Sequence, residues 1–250
     1  MTTAARDPGA VQSVDRALVL LEALALAESP VGVAELATRT GLPQGTAHRL
    51  LQTLQQRGYV RHDAARKYSV GNAAIRLADA AQRSLARTAL PYLAELVEVS
   101  GETANLAVLE GDDVVYVAQV PSPHTLRMFA EVGRHVSPHA TAVGKVLLAE
   151  LPADQMRALL RRTGLPARTP ATVTDLDALV AELDDVRARG WAVDEQEQES
   201  GVRCLAVPVR AGGGQVLAAL SLSGPAERFG GGRDPELVAA MQRVSRALPA

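Results

Sequence analysis

The chain has 250 residues, 26 basic against 28 acidic side chains, 47% hydrophobic residues and 3% aromatics, the composition of a soluble globular protein with one large or two ordinary domains. No stretch approaches the roughly 18 uninterrupted apolar residues of a membrane span, and MTTAARDPGAVQS lacks the apolar core of a secretory signal, so no membrane association and a cytoplasmic location are expected. A single cysteine, Cys204, excludes an internal disulfide, and one Cys beside five scattered His shows no recurring metal-ligand spacing, so neither a metal nor a cofactor is expected.

The near-neutral total hides an asymmetry: residues 1–75 hold 8 Lys/Arg and 6 Asp/Glu, the remainder 18 and 22. Between residues 39 and 67, Arg39, Arg49, Arg57, Arg61, Arg66 and Lys67 face Asp63 alone. Such a patch attracts a polyanion, although charge by itself is equally compatible with an ordinary solvated face.

Ser13 can cap a first helix in which Val14, Ala17, Leu18, Leu21, Leu24 and Ala25 recur at helical spacing, ending before Ser29-Pro30. Ala34, Leu36 and Ala37 mark a short second helix with Gly32 at its N-cap, stopping at Thr40-Gly41. Leu42-Pro43 opens a third, with Ala47, Leu50, Leu51 and Leu54 on one face and Gln44, Thr46, His48, Arg49 and Gln52 on the other. Two short helices joined by a tight glycine-containing turn, the second polar and basic near its amino end, form the helix-turn-helix pattern that enters the major groove. Tyr59-Val60 and Lys67-Tyr68-Ser69-Val70 read as β segments of a wing, whose Arg61, Arg66 and Lys67 are suited to phosphate or the minor groove. A helical bundle making only protein contacts is the alternative, but helix lengths, turn, wing and charge agree with one another.

From Asn72 to about Thr88, Ala73, Leu77, Ala80 and Ala81 share a helical face, which predicts a linker helix. A further helix is expected over Pro91 to Val99. Strands are expected at Thr103–Leu109 and Val114–Val120, joined by a Gly/Asp turn, and at Leu126–Ala130. Helices follow at Ala142–Ala149, Ala153–Thr163 and Asp175–Arg189, then strands near Ala192–Asp194, Cys204–Val209 and Val216–Ser223 and a closing helix from about Pro235. The fold class is α+β with a largely antiparallel sheet, and the expected organisation is a winged helix-turn-helix domain over 1–71, a linker helix over 72–88 and a second domain over 89–250.

Several of these segments together resemble one known family. Val11-Gln-Ser-Val-Asp-Arg-Ala-Leu, Glu35 to Leu42, Thr46-Ala-His-Arg-Leu-Leu and Gly58-Tyr59-Val60 look like the winged-helix half of the IclR family of bacterial transcriptional regulators. Ser100-Gly-Glu-Thr-Ala-Asn, His139-Ala-Thr-Ala-Val-Gly-Lys145, Arg189-Gly-Trp-Ala-Val-Asp-Glu195, Gly201 to Pro208 and Ala218 to Pro225 match its effector-binding half in order and spacing, so the resemblance runs from about residue 11 to about 248. It implies a GAF-like second domain and a homodimer or dimer of dimers paired through the first and linker helices. It also implies DNA contacts by Gln44, Gly45, Thr46, His48, Arg49, Arg61, Arg66 and Lys67, with Arg16 of the first motif counted among them. Gly45 departs from the family, where a polar side chain is common; glycine contributes no side-chain contact but lets backbone approach a phosphate.

By the same resemblance Met128, Gly144, Asp194, Cys204, Ser221 and Ser223 line the effector site. Their chemistry is consistent: Gly144 lies at the start of an expected helix whose free N–H groups could receive a carboxylate, and Ser221 and Ser223, two apart on a strand, offer hydroxyls on one face. Asp194 and Cys204 complete a polar site with Met128 as an adaptable wall. The rest of Asp194-Glu-Gln-Glu-Gln-Glu199 reads as a solvated turn, Lys145 lacks the upstream glycine of a phosphate loop, and Pro138 between His135 and His139 argues against a metal pair.

The expected function is a ligand-responsive repressor of a metabolic operon, binding an operator in double-stranded DNA and sensing a small carboxylic or keto acid. Ser100–Asn105 and Leu126–Met128 resemble allantoin-type repressors, which implies a ureide-pathway metabolite such as glyoxylate or allantoate. Two alternatives stay open: an enzyme with Cys204 as nucleophile, although no His lies in the surrounding motifs, and a constitutive DNA-binding protein with a vestigial pocket.

Overall fold

The computed structural model describes residues 11–27, 29–128, 131–229 and 232–249, and two compact units divide between Ala81 and Gln82. The first contains helix α1 (Gln12–Ala25), strand β1 (Val31–Gly32), helices α2 (Val33–Thr40) and α3 (Gln44–Gln56), and strands β2 (Val60–His62) and β3 (Lys67–Val70). Gly41 takes a left-handed φ of 67° to end α2, and Pro43 is the N-cap of α3, so the turn between the two helices rests on one residue that tolerates positive φ and one that cannot extend a ladder backward.

Three details differ from the sequence reading. Helix α1 starts at Gln12 with Val11 at its N-cap and no side-chain cap, which places Ser13 inside the first turn. The core face of α1 is Leu20 and Leu24, packed with Leu36, Ala47, Leu51, Val60 and Tyr68, whereas Val14 and Leu18 of the expected stripe are 56% and 52% exposed. The helix is apolar on two sides, and spacing alone cannot say which side the core takes. Strand β1, too short to show alternation, pairs antiparallel with β3 through Val31 and Tyr68 and completes a sheet ordered β1-β3-β2.

Helix α4 (Ala73–Ser100) is continuous and contains Pro91, so the linker helix and the helix expected after it are one. Proline removes one i→i−4 hydrogen bond, but Pro91 sits on an exposed side while Ala89, Leu93 and Leu96 are buried, and that burial outweighs the missing bond.

The second unit continues with strands β4 (Thr103–Glu110), β5 (Asp113–Val120) and β6 (His135–Val136), a single 3-10 turn (Pro138–Ala140), and helices α5 (Ala142–Glu150), α6 (Ala153–Thr163) and α7 (Leu176–Arg189). Strands β7 (Ala192–Glu195), β8 (Val202–Arg210) and β9 (Val216–Pro225) and helix α8 (Asp234–Ala247) complete it. Among the described residues its strands form one antiparallel sheet ordered β6-β5-β4-β9-β8-β7. Leu126–Met128 is not a strand, and Phe129 and Ala130 of that expected strand lie outside the described residues. The Met128 carbonyl instead accepts the Thr103 hydroxyl at 2.8 Å, a side-chain tether in place of a ladder.

Alternation along the strands splits the side chains between two cores. Ala104, Leu106, Leu205, Val207, Leu220 and Leu222 pack with Leu93 and Leu96 of α4 and Leu237 and Met241 of α8. The opposite face, with Ala107, Tyr116, Cys204, Ala206 and Ala219, packs with Val143 and Val146 of α5, Met156 and Leu160 of α6 and Leu183 of α7. No helix among the described residues is long and apolar enough to cross a membrane.

Candidate DNA-reading face and effector site

In the first unit Ala47 and Leu51 turn one side of α3 into the core, while Gln44, Gly45, His48 and Arg49 are exposed and Thr46 is half-buried. Gln44 and His48, like Gly45 and Arg49, are four apart and stack along one open face. A Cβ on Gly45 would meet nothing within 4 Å, so crowding does not require glycine there.

The wing turn is built by Asp63, whose carbonyl accepts the Arg66 N–H at 3.0 Å and whose Oδ1 accepts the Lys67 N–H at 2.9 Å. Arg66 takes a left-handed φ of 57°. Arg61, Arg66 and Lys67 are exposed, and Arg61 Nε donates to Ser69 Oγ at 2.9 Å across the β2–β3 pair. Arg16 is half-buried on α1.

In the second unit sheet register assembles the polar residues. Asp194, Cys204, Ser223 and Thr103 are successive partners across β7, β8, β9 and β4, and Ala192, Ala206, Ser221, Asn105 and Gln119 form the neighbouring row, which ends in β5. Asp194, Cys204, Ser221 and Ser223, far apart in sequence, therefore share the face covered by α5. Asn105 and Thr103 are fully buried, and Asp194, Ser221 and Ser223 nearly so.

Buried polar groups are stable only when hydrogen-bonded, and here most are. Gln119 Nε2 donates to Asn105 Oδ1 at 2.8 Å, and Asn105 Nδ2 donates to Ser221 Oγ and Ser223 Oγ at 3.2 and 3.3 Å. Asp194 Oδ1 accepts the backbone N–H groups of Glu197 and Gln198 at 2.6 and 3.4 Å. Burial pushes the Asp194 carboxyl up to about 7, against the pull of the Glu197 N–H and with the Glu197 charge adding to the rise.

Burial likewise raises the Cys204 thiol, with the Asp194 charge in the same direction and Ser223 opposing. The Tyr116 phenol, raised chiefly by burial, also feels Cys204 and Asp194.

Two expected roles change. Gly144 sits inside the first turn of α5, where its N–H donates to the Thr141 hydroxyl at 3.2 Å as part of the N-cap, so it is not a free donor for a ligand carboxylate. A Cβ there would fall 2.1 Å from the Pro138 carbonyl oxygen, which makes Gly144 a close-packing residue. The 194–199 segment is not uniformly solvated either: Glu197 is buried, and its Oε1 accepts from Lys145 Nζ at 2.5 Å, with Glu182 Oε1 at 2.7 Å completing the pairing of a fully buried lysine.

Sequence reasoning gave no role in the site to Asn105, Thr103, Gln119 or Tyr116, weighed Lys145 only as a phosphate-loop lysine and read Glu197 as part of a solvated turn. Some of these carried a readable signal. An Asn inside Thr-Ala-Asn-Leu-Ala-Val-Leu is unfavourable in a strand without a partner, and a Lys inside Ala-Val-Gly-Lys-Val-Leu-Leu-Ala is rarely buried without a counter-charge.

A winged helix-turn-helix unit with an open polar second helix, joined in one chain to a sheet carrying a buried polar site, defines a ligand-responsive DNA-binding regulator. The chain belongs to the IclR family: residues 13–64 match the IclR helix-turn-helix domain and residues 78–250 the bacterial transcriptional regulator IclR C-terminal domain. It is 38% identical to the transcriptional repressor IclR of Escherichia coli, over 96% of this chain and 89% of that one. It is 37% identical to the HTH-type transcriptional regulator BhcR of Paracoccus denitrificans, over 98% and 88%. An IclR homologue from Microbacterium hydrocarbonoxydans, crystallised with 4-hydroxybenzoate, superposes with a TM-score of 0.62 at 25% identity, covering 95% of this chain and 97% of that one.

These relatives are transcriptional regulators rather than enzymes, and the thiol chemistry agrees. A nucleophilic cysteine needs a stabilised thiolate, whereas Cys204 is buried with its thiol pushed up.

Proposed function

We propose that this regulator represses a metabolic operon and is released from its operator by a small carboxylic or keto acid bound at the polar face of the second unit. The observation that carries this reading is the pair of buried hydroxyls of Ser221 and Ser223, set beside Cys204 and Asp194 by sheet register. The paired hydroxyls beside a carboxyl and a thiol suit a small polar acid, and the Ser100–Asn105 and Leu126–Met128 segments favour glyoxylate or allantoate. Gln44, Thr46, His48 and Arg49 read bases, Gly45 admits a phosphate, and Arg16, Arg61, Arg66 and Lys67 contact the backbone.

The working form is a homodimer, alone or paired with a second dimer, because operator specificity needs two linked half-sites. Exposed Val14 and Leu18 on α1 and exposed Leu77 on α4 border an apolar groove of about 520 Å³ within the first unit, a surface that a second copy would remove from water. Effector binding one dimer geometry better than the other converts metabolite concentration into operator occupancy.

A gel-shift titration at stated salt against the upstream intergenic DNA, with and without glyoxylate, pyruvate, allantoin and allantoate, tests this. Specific retardation relieved by one compound is expected. Retardation that no compound alters would instead favour a constitutive DNA-binding protein.

A further inference from the structure

We infer that Asp63 is a positioning residue for DNA binding: its carboxylate, the only one between residues 39 and 67, closes the wing turn and so aims Arg66 and Lys67 at the phosphate backbone. The inference rests on the reading that the wing lies along DNA. Asp63 is exposed, and a negative charge at an exposed wing tip repels a polyanion. Its place among six Arg and Lys side chains therefore costs affinity unless the carboxylate does something else for binding.

What it does is hold the backbone. Asp63 Oδ1 accepts the Lys67 N–H at 2.9 Å, the Asp63 carbonyl accepts the Arg66 N–H at 3.0 Å, and the Asp63 N–H donates to the Lys67 carbonyl at 3.0 Å. The side chain thus satisfies a donor that the turn's own backbone does not. This clamp spans Arg66, which with Gln196 is one of two described non-glycine residues at positive φ, a conformation that an L side chain keeps only while its surroundings hold it. Among the described residues the Asp63 carboxylate forms no ion pair with Arg66 or Lys67, and Arg61 turns its Nε to Ser69 Oγ at 2.9 Å. The acid therefore fixes the direction of the wing's cations without pairing with them. Loss of Oδ1 frees the Lys67 N–H, lets Arg66 relax toward negative φ and turns both side chains away from where the closed turn points them.

The test is fluorescence-anisotropy titration of the full chain on a labelled duplex of its upstream intergenic DNA over a range of salt. Asp63→Asn keeps the acceptor and removes the charge, and is expected to bind about twofold tighter. Asp63→Ala removes both and is expected to bind about fivefold more weakly, with a salt slope smaller by about one to two counterions. Asp63→Glu keeps the charge but shifts the acceptor by one methylene, is expected to bind at least as weakly as Asp63→Ala, and serves if Asp63→Ala does not fold. In an Arg66→Gln/Lys67→Gln background nothing is left to aim, so there Asp63→Ala is expected to act as a charge change alone and to tighten binding about twofold.

Equal tightening by Asp63→Asn and Asp63→Ala would mean that the carboxylate only repels DNA, and equal weakening by both would mean that its charge, not its acceptor, is what counts. A loss on Asp63→Ala as large in the Arg66→Gln/Lys67→Gln background as in the unaltered chain would mean that the effect does not pass through those two side chains. Each of these overturns the inference alone. If Arg66→Gln/Lys67→Gln binds with unaltered affinity and salt slope, or if the unaltered protein does not bind the duplex, the reading of the wing fails and the inference with it.

Discussion

Lys145 of α5 and Glu197 of the turn after β7 form a buried ion pair, 2.5 Å from Nζ to Oε1, and the same Glu197 supplies the backbone N–H that holds Asp194 Oδ1 at 2.6 Å. The lysine thus braces the turn that positions a candidate effector residue. The Thr172 hydroxyl, donating to the Glu197 carbonyl at 2.6 Å, and the Thr169 hydroxyl, donating to the Gln196 carbonyl at 2.7 Å, brace it from the other side.

Removing one partner of such a pair leaves a buried charge without compensation. Lys145→Met is expected to cost about 3–5 kcal/mol in urea denaturation, and the double variant Lys145→Met/Glu197→Gln is expected to recover part of that loss. A single variant as stable as the unaltered protein would show the pair to be energetically idle.

The Asp194 carboxyl sits at about 7 in the fold against 3.8 as its ordinary value. Between these values the folded chain holds a proton that the unfolded chain has released, so the stabilising effect of the neutral form is complete below about pH 4 and is lost as pH rises through about 7. Asp194→Asn keeps an oxygen for the two backbone N–H groups and removes the ionisation. Its denaturation midpoint should fall less between pH 5 and 8 than that of the unaltered protein, with a gain on the order of 2 kcal/mol at pH 8. Parallel pH profiles for the two proteins would contradict the assignment.

Cys204 is 8% exposed, with its thiol raised by burial and by the Asp194 charge. Iodoacetamide at pH 8 should leave it unmodified in the folded protein and alkylate it rapidly in denaturant, as mass spectrometry would read. Fast labelling of the folded chain would indicate an exposed, ionised thiol.

Two glycines should respond in opposite ways. Gly144→Ala drives a Cβ into the Pro138 carbonyl and is expected to cost more than about 3 kcal/mol, because backbone on both sides must move. Gly45→Ala meets open space within α3 and should raise stability by about 0.5–1 kcal/mol. If Gly45 serves phosphate approach, that gain comes with weaker operator binding in the same gel shift.

Arg66 bears charge on the wing in a backbone conformation that glycine prefers. Arg66→Gly is expected to leave the thermal midpoint unchanged or higher, since left-handed φ costs an L side chain about 1–2 kcal/mol, while weakening DNA binding and reducing its salt dependence by about one counterion. A lower midpoint with unaltered affinity would assign Arg66 a structural role instead.

The sequence by itself determined the α+β class, most of the longer helices and strands and the surface chemistry of α3 and the wing, because helical and strand periodicity, glycine and proline punctuation and local charge are all short-range properties, whereas the two-residue strands β1 and β6 are too short to carry a period. It also placed Ser221 and Ser223 on one face, since alternation along a strand is local. Only the tertiary structure decided which apolar side of α1 faces the core, that α4 runs through Pro91, and that Gly144 spends its N–H on Thr141. It likewise decided that Lys145 and Glu197, 52 positions apart, neutralise each other in the interior, and that Asn105 stands between Gln119 and two serines more than a hundred positions away. The reason is common to all of these: a buried polar group is stable only with its partner, and partners on different strands are chosen by sheet register, which no local pattern in the chain encodes.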